Sequence, residues 1–319
     1  MTATVAAHAD WSVDPRKRWM TVARRDGAAW RIGGPEPVGP VATLLPRLLA
    51  ASDGGAVALG VDLPLGLPRA YVQRHAASAG NFPAFLRTLA DAPGFFDVCP
   101  TLAEVSPARP FYPARGVAGM TRAAHADALG LGAAAGLCRA CDRATAERPA
   151  GAPLFWTLGA NQSGKAAIAA WRDLILPALH APEPPALWPF DGDLRPLLLR
   201  QRIVMAETYP AEALRHFGLR MGGSKRRPSD RAALALPLAA AIAALGAEAD
   251  GAMRAALADG FGTDAAGEDR FDSLLGLLCV LNVLAGNRPD GAPDDPWIRR
   301  WEGWVLGQTA LPAAGWSGL

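Results

Sequence analysis

Residues 56–61, Ala-Val-Ala-Leu-Gly-Val, run without a polar side chain between Asp53-Gly54-Gly55 and Asp62. A stretch of that length with no alternation offers no face to water. It therefore reads as a strand buried on both sides, the habit of parallel strands in α/β sheets covered by helices. The residues ahead of it agree. The stretch 41–52 spaces Leu44, Leu45, Leu48 and Leu49 as a helix and stops at Asp53-Gly54-Gly55. Before it, 2–9, 18–24 and 28–32 read as three strands, separated by turn chemistry at Asp14-Pro15 and Asp26-Gly27, which makes an antiparallel meander.

Beyond the buried strand the character changes. Residues 69–198 are rich in Pro, Gly and Ala, with helical pieces near 83–90, 121–147 and 163–180, and read as a mostly helical insertion of about domain size. A fifth strand follows at 201–206, closing on Glu207, and then helices near 211–217, 229–245, 248–259 and 269–286. Residues 293–319 carry Trp297, Trp301, Trp304 and Trp316 and read as a packed tail. The expected organisation is one α/β domain over 1–292, interrupted by the insertion at 69–198, with the Trp-rich tail at 293–319.

Composition narrows the function classes. With 50% hydrophobic and 19% charged residues in a 319-residue chain, intrinsic disorder is excluded. The net charge of +2 sets up no global field to announce a polyanionic partner. Only Lys17, Lys165 and Lys225 are lysines, so arginine supplies nearly all of the 32 basic residues. Cys99, Cys138, Cys141 and Cys279 are too few for a secreted disulfide scaffold; Cys138 and Cys141 have no second pair at zinc spacing and read as neighbours on a packed helix. The first residues lack a basic segment and meet Asp10 before an apolar stretch can form, and the apolar runs at 232–247 and 273–286 are too short for a membrane span. A soluble, cytoplasmic protein is expected.

The acids carry the chemistry. Asp10 ends the first strand, Asp62 the buried fourth and Glu207 the fifth. If those strands are parallel neighbours, all three emerge at the carboxyl edge, where open α/β sheets place ligands. Asp269 and Asp272 share a helix face at i,i+3. Gathered carboxylates repel one another and acquire raised pKa values unless a cation neutralises them; hard oxygen donors select Mg²⁺ or Mn²⁺, which support phosphodiester hydrolysis. Each acid also has a plainer reading. Asp10 can cap a turn, Asp62 before Leu63-Pro64 can make an Asx turn, Glu207 can pair with an arginine, and Asp269 can serve the first turn of its helix.

Two other segments bear on ligands. Lys225, Arg226 and Arg227, in the glycine-rich basic stretch 222–231, can meet phosphates, or form a solvated loop with Ser229 or Asp230 capping the next helix. The stretch 159–166 nearly spells a phosphate-binding loop around Lys165, but Ala166 stands where a Mg²⁺-ligating hydroxyl belongs. There is no GxSxG and no HExxH, and His8 reads as a core or edge residue on the face of Asp10 rather than a catalytic one.

The segments Gly60-Val-Asp-Leu-Pro-Leu-Gly-Leu-Pro68, Ala206-Glu-Thr-Tyr-Pro210 and Glu268-Asp-Arg-Phe-Asp-Ser-Leu-Leu275 resemble a family catalogued as domain of unknown function 429, described as a predicted nuclease with a ribonuclease H-like fold. They are similar, more distantly, to the Holliday-junction resolvase branch of that superfamily. The resemblance covers residues 2–68 and 200–286 and departs from the pattern at Asp10-Trp-Ser-Val, which lacks a glycine-rich turn, and at Ser273. It implies a mixed five-stranded sheet with flanking helices and the large insertion between the fourth and fifth strands. It also implies Asp10 and Asp62 as central Mg²⁺ or Mn²⁺ ligands, joined by Asp272 and Asp269, with Glu207 completing the site. The expected activity is metal-dependent hydrolysis of DNA or RNA, with Lys225, Arg226, Arg227 and Lys165 toward the substrate. A nucleotide-binding phosphotransferase or ATPase on the same superfold, or a catalytically silent binding protein, are the alternatives.

Overall fold

A computed structural model of the chain describes residues 3–116, 118–159 and 163–312. Thr2, residues 160–162 of the stretch around Lys165, and Trp316 with the end of the expected tail lie outside the described residues. The protein is mixed α/β, and its described residues fall into two compact units. The first is drawn from Met1–Asp62, Asp193–Gly291 and Val305–Gln308; the second from Leu63–Gly192, Ala292–Trp304 and Thr309–Leu319. The helix Leu194–Arg200 thus belongs to the first unit rather than to the inserted segment, and the expected tail is divided between the two.

The strands are β1 (Ala3–Asp10), β2 (Trp19–Asp26), β3 (Ala29–Ile32), β4 (Glu36–Pro37), β5 (Ala56–Val61), β6 (Ala186–Leu187, in the second unit), β7 (Ile203–Glu207) and β8 (Ala247–Ala249). In the first unit the sheet runs β7-β5-β1-β2-β3-β8, with β4 beside β2. β1, β5 and β7 are parallel, β1-β2 and β2-β3 antiparallel, and β3-β8 parallel. Every residue of β5 is buried, as its unbroken apolar run requires. β4 and β8 were not expected. β8 is three residues long, too short for a periodic signal, and it separates the helices Ala235–Ala244 and Gly251–Asp259.

The helix Gly267–Leu284 covers the sheet face that carries His8, Thr21 and Gly60, which are register partners on β1, β2 and β5. Two glycines bring helix and sheet together. A Cβ on Gly276 would stand 2.2 Å from the His8 ring, and one on Gly60 would stand 2.7 Å from Val280 Cγ2. Without those methyl groups the backbones approach closer than ordinary side chains permit. The Ser273 hydroxyl donates to the Arg270 carbonyl at 2.7 Å and so accepts from Thr21 Oγ1, also at 2.7 Å. A serine here is therefore used to fix the helix on β2. His8 is fully buried, and burial lowers its pKa to about 3, so it stays a neutral packing group.

The second unit is held by aromatic and polar cores rather than by a sheet. Tyr71, Phe111, Phe155, Phe95 and Phe85 pack ring on ring with centroids 4.7–5.8 Å apart. The helix expected over 121–147 ends at Ala128, and short 3-10 turns follow at Ala134–Leu137 and Ala140–Asp142. Gly130 and Gly132 take positive φ (67° and 79°), which a continuing helix cannot use. Cys138 directly follows the first of these turns and Cys141 lies on the second, and all four cysteines are free.

The loop after β5 packs on the segment 301–303 by backbone contact. Leu67 N–H donates to Trp301 O at 2.7 Å, and Cβ atoms on Gly66 and Gly303 would stand 2.1 Å and 2.0 Å from the carbonyl oxygens of Glu302 and Leu65. Arg139 is buried beside them. It forms a two-pronged ion pair with Asp142 (2.8 and 3.0 Å) and donates to the Leu65 carbonyl at 3.0 Å. Among the described residues no helix is long and apolar enough to cross a membrane.

Candidate metal centre

Parallel register decides which acids meet. Asp10 is the last residue of β1, Asp62 follows β5, and Glu207 is the last residue of β7, so all three stand at one carboxyl edge. Register then separates them. Ala9 is level with Val61, and Val61 with Glu207. Residues level with one another in a parallel sheet point to the same face, and successive residues alternate. Asp10 and Asp62, one step further along, therefore point to the face opposite Glu207. Theirs is the face covered by the helix Gly267–Leu284, which delivers Asp269 in its first turn and Asp272 one turn on.

The expectation that Glu207 completes the cluster is corrected by the pleat. Glu207 is fully buried on the far face and acts on Asp62 only as the weakest of the charges that perturb it. A strand's end can be read from sequence, but a shift of one residue in register changes the face, and register is not written in the strand itself.

The four remaining acids act on one another. Burial raises the pKa of Asp10 well above the usual carboxylate range, and the charges of Asp62, Asp272 and Asp269 raise it further. Asp62 is pushed up to about 7 by burial and then by Asp272. Asp269 is pushed up to about 6, mainly by burial, with Lys17 opposing. Among the described residues no donor meets the carboxylate of Asp10 or Asp62, so neither serves as a turn cap, and Asp269 Oδ2 is buried without a partner. Asp10 is only 9% exposed. Buried carboxylates without donors are what a bound cation would satisfy.

One ammonium already stands among them. Lys225 Nζ lies 2.6 and 2.8 Å from the two oxygens of Asp272, whose side chain is 13% exposed. Burial would lower the Lys225 pKa, but the charge and hydrogen bond of Asp272, together with the charges of Glu268 and Asp62, outweigh that and raise it. Burial likewise raises Asp272, and Lys225 opposes the rise. Among the described residues no three of these four acids bring an oxygen each within 4.8 Å of one another. The donor types fit Mg²⁺ or Mn²⁺.

The basic residues divide. Lys225, expected to meet phosphate, is paired with an acid instead. Arg226 is 85% exposed and 3.9 Å from Glu268, and Arg227 is exposed beside Asp230. Asp230 accepts from Ser224 N–H at 2.8 Å, closing the loop on itself rather than capping a helix. Lys165 lies on the helix Ser163–Ala170 in the second unit.

Two participants escaped the sequence reading. Lys17, from the turn Pro15–Lys17, bears on Asp269, so two of the chain's three lysines face this cluster; their rarity was the available signal. Buried Thr208, level with Asp62, has a hydroxyl oxygen with no partner.

No known family model, curated protein or solved structure matches this chain.

The raised carboxylates give a pH signature. Asp62 titrates near 7 in the fold and near 3.8 in the unfolded chain, so between those values the native state holds more protons and ion-free stability falls as pH rises. His8 and His125, kept neutral by burial, act in the opposite sense below their ordinary value of 6.5. The acid contribution is therefore read as a difference. Thermal unfolding of ion-free protein from pH 4 to 7.5 should show Asp62→Asn gaining steadily on wild type as pH rises, levelling off above about 7. A gap that stays constant across that range would contradict the assignment.

Proposed function

We propose that the protein is a divalent-metal-dependent phosphodiester hydrolase acting on nucleic acid, built on a ribonuclease H-like sheet. The observation that carries this reading is the convergence of Asp10, Asp62, Asp269 and Asp272 on one face at the carboxyl edge, with Asp10 and Asp62 meeting no donor among the described residues. The order β3-β2-β1-β5-β7, an antiparallel meander continued by two parallel strands, supports the fold assignment. Free cysteines and the lack of disulfides among the described residues suit a reducing, cytoplasmic setting.

Asp10, Asp62 and Asp272 would hold Mg²⁺ or Mn²⁺, with Asp269 at the margin. When bound, such an ion supplies Lewis acidity toward a phosphoryl oxygen and an attacking water. The protein's own part is orientation. β1 and β5 fix two carboxylates on rigid backbone, and the glycine-mediated approach of the helix Gly267–Leu284 fixes the others. The exposed side chains of Lys17, Arg226 and Arg227 lie where a phosphate backbone can be held by charge rather than by sequence.

The test is cleavage of labelled DNA and RNA under Mg²⁺ or Mn²⁺ titration. Wild type should cut one of them, and Asp62→Asn should be at least about 100-fold slower, the loss expected for an orienting or ligating group. Equal rates from both proteins would remove the proposed chemistry.

A further inference from the structure

We propose that Lys225 is a resident counter-ion of the carboxylate cluster. Its ammonium occupies the Asp272 side, so that the resting protein takes up one divalent ion at Asp10 and Asp62 and admits a second only when the lysine is displaced. This inference rests on the metal reading above and extends it to the order in which cations enter.

The pairing is two-pronged, with Nζ 2.6 and 2.8 Å from the two Asp272 oxygens, whereas Asp10, nine-tenths buried, points into the same cluster and meets no donor among the described residues. One acid is served by the protein and the others are left for something else. The lysine is also held from behind. Arg231, 1% exposed, donates to the carbonyl of Lys225 and, at 2.6 Å each, to those of Gly260 and Gly262. Asp230 ties down Ser224 N–H in the same loop. Gly267 leaves room for the guanidinium, since a Cβ there would stand 2.3 Å from Arg231 Nη2. A buried arginine that ties the backbone carbonyl of Lys225 to those of Gly260 and Gly262 marks a built position, not a chance surface contact.

Residue type points the same way. In a chain whose basic residues are almost all arginine, this position carries one of three lysines. Arginine would lock onto a carboxylate with its planar fork, whereas lysine is a compact point charge on a flexible stem that can pair with Asp272 or leave it. Charge balance sets the order of entry. Four carboxylates with one ammonium and one divalent ion carry a net charge of −1. A second divalent ion beside the ammonium brings it to +1, a positive excess that is relieved when a phosphodiester brings its own negative charge, to which Lys225 is then free to turn.

The experiment is Mn²⁺ titration of the full chain without substrate, by calorimetry and by electron paramagnetic resonance of free Mn²⁺. Wild type should bind one ion with a second at least about tenfold weaker, the ratio that 1.36 kcal/mol of repulsion produces. Lys225→Met and the more soluble Lys225→Gln should each tighten the second ion by about tenfold or more, while Lys225→Arg keeps it weak. Circular dichroism establishes that each variant is folded. Binding that is present but unchanged when the charge is removed would overturn the role of Lys225 and leave the metal reading standing. Failure of wild type and all variants to bind Mn²⁺ would overturn both.

Discussion

Replacing Arg139 with methionine should destabilise the second unit by about 3–5 kcal/mol, the loss that follows when one member of a buried ion pair is removed and the other keeps its charge. Arg139 is fully buried, its ion pair with Asp142 is two-pronged, and a third branch donates to Leu65 O. Truncation would take the Arg139 charge away from the buried Asp142 carboxylate while leaving it the Arg139 N–H at 3.0 Å. Urea unfolding of wild type, Arg139→Met, Asp142→Leu and the double variant measures this. Each single change should lower the midpoint sharply, and the double should recover a large share of the loss, because an apolar pair of similar volume needs no solvation. A double variant as unstable as the two singles added together would mean that the two side chains do not act as a pair.

Asp10→Asn should do the opposite in the absence of metal and raise the melting temperature near pH 7.5. The replaced group is a buried carboxylate, destabilised by burial and by Asp62, Asp272 and Asp269, with no donor to compensate. Adding Mn²⁺ should reverse the ranking. A ligand at a hundredfold excess over its dissociation constant contributes about 2.7 kcal/mol, roughly 5–10 °C for a unit of this size. Wild type should gain that increment and Asp10→Asn should not. Scanning calorimetry with and without Mn²⁺ reads both. A wild type whose melting temperature ignores Mn²⁺, or a variant that responds as strongly, would contradict Asp10 as a ligand.

The core strands were legible because they are marked chemically. β5 announces itself by lacking polar residues, and β1 and β7 each end on an acid. What the strand ends did not carry was pairing register, and so Glu207 was placed with acids that face away from it. The stretch 121–147 was overread because alanine favours helix in isolation, whereas glycines at 130 and 132 with positive φ turn the chain. The Lys225–Asp272 pair joins residues 47 apart in sequence, and nothing local in the basic stretch 222–231 reveals that its lysine turns inward to an acid. The motif Gly60–Pro68 was the most informative segment, and its parts divide by physics. Gly60 admits the helix, Asp62 serves the cluster, and Gly66 admits the backbone of Glu302.

The chain path has a consequence for biogenesis. Because the second unit begins at Leu63 yet needs the late segment Ala292–Trp304, it cannot be completed as it leaves the ribosome. The first unit must likewise wait for β7 and the helix Gly267–Leu284 before β1 and β5 are covered. Domains usually mature in order of synthesis. Here the chain must emerge past Leu284 before the first unit can cover its strands and past Trp304 before the second can close, so the nascent chain would carry exposed apolar strands until then and would be a natural client for chaperones.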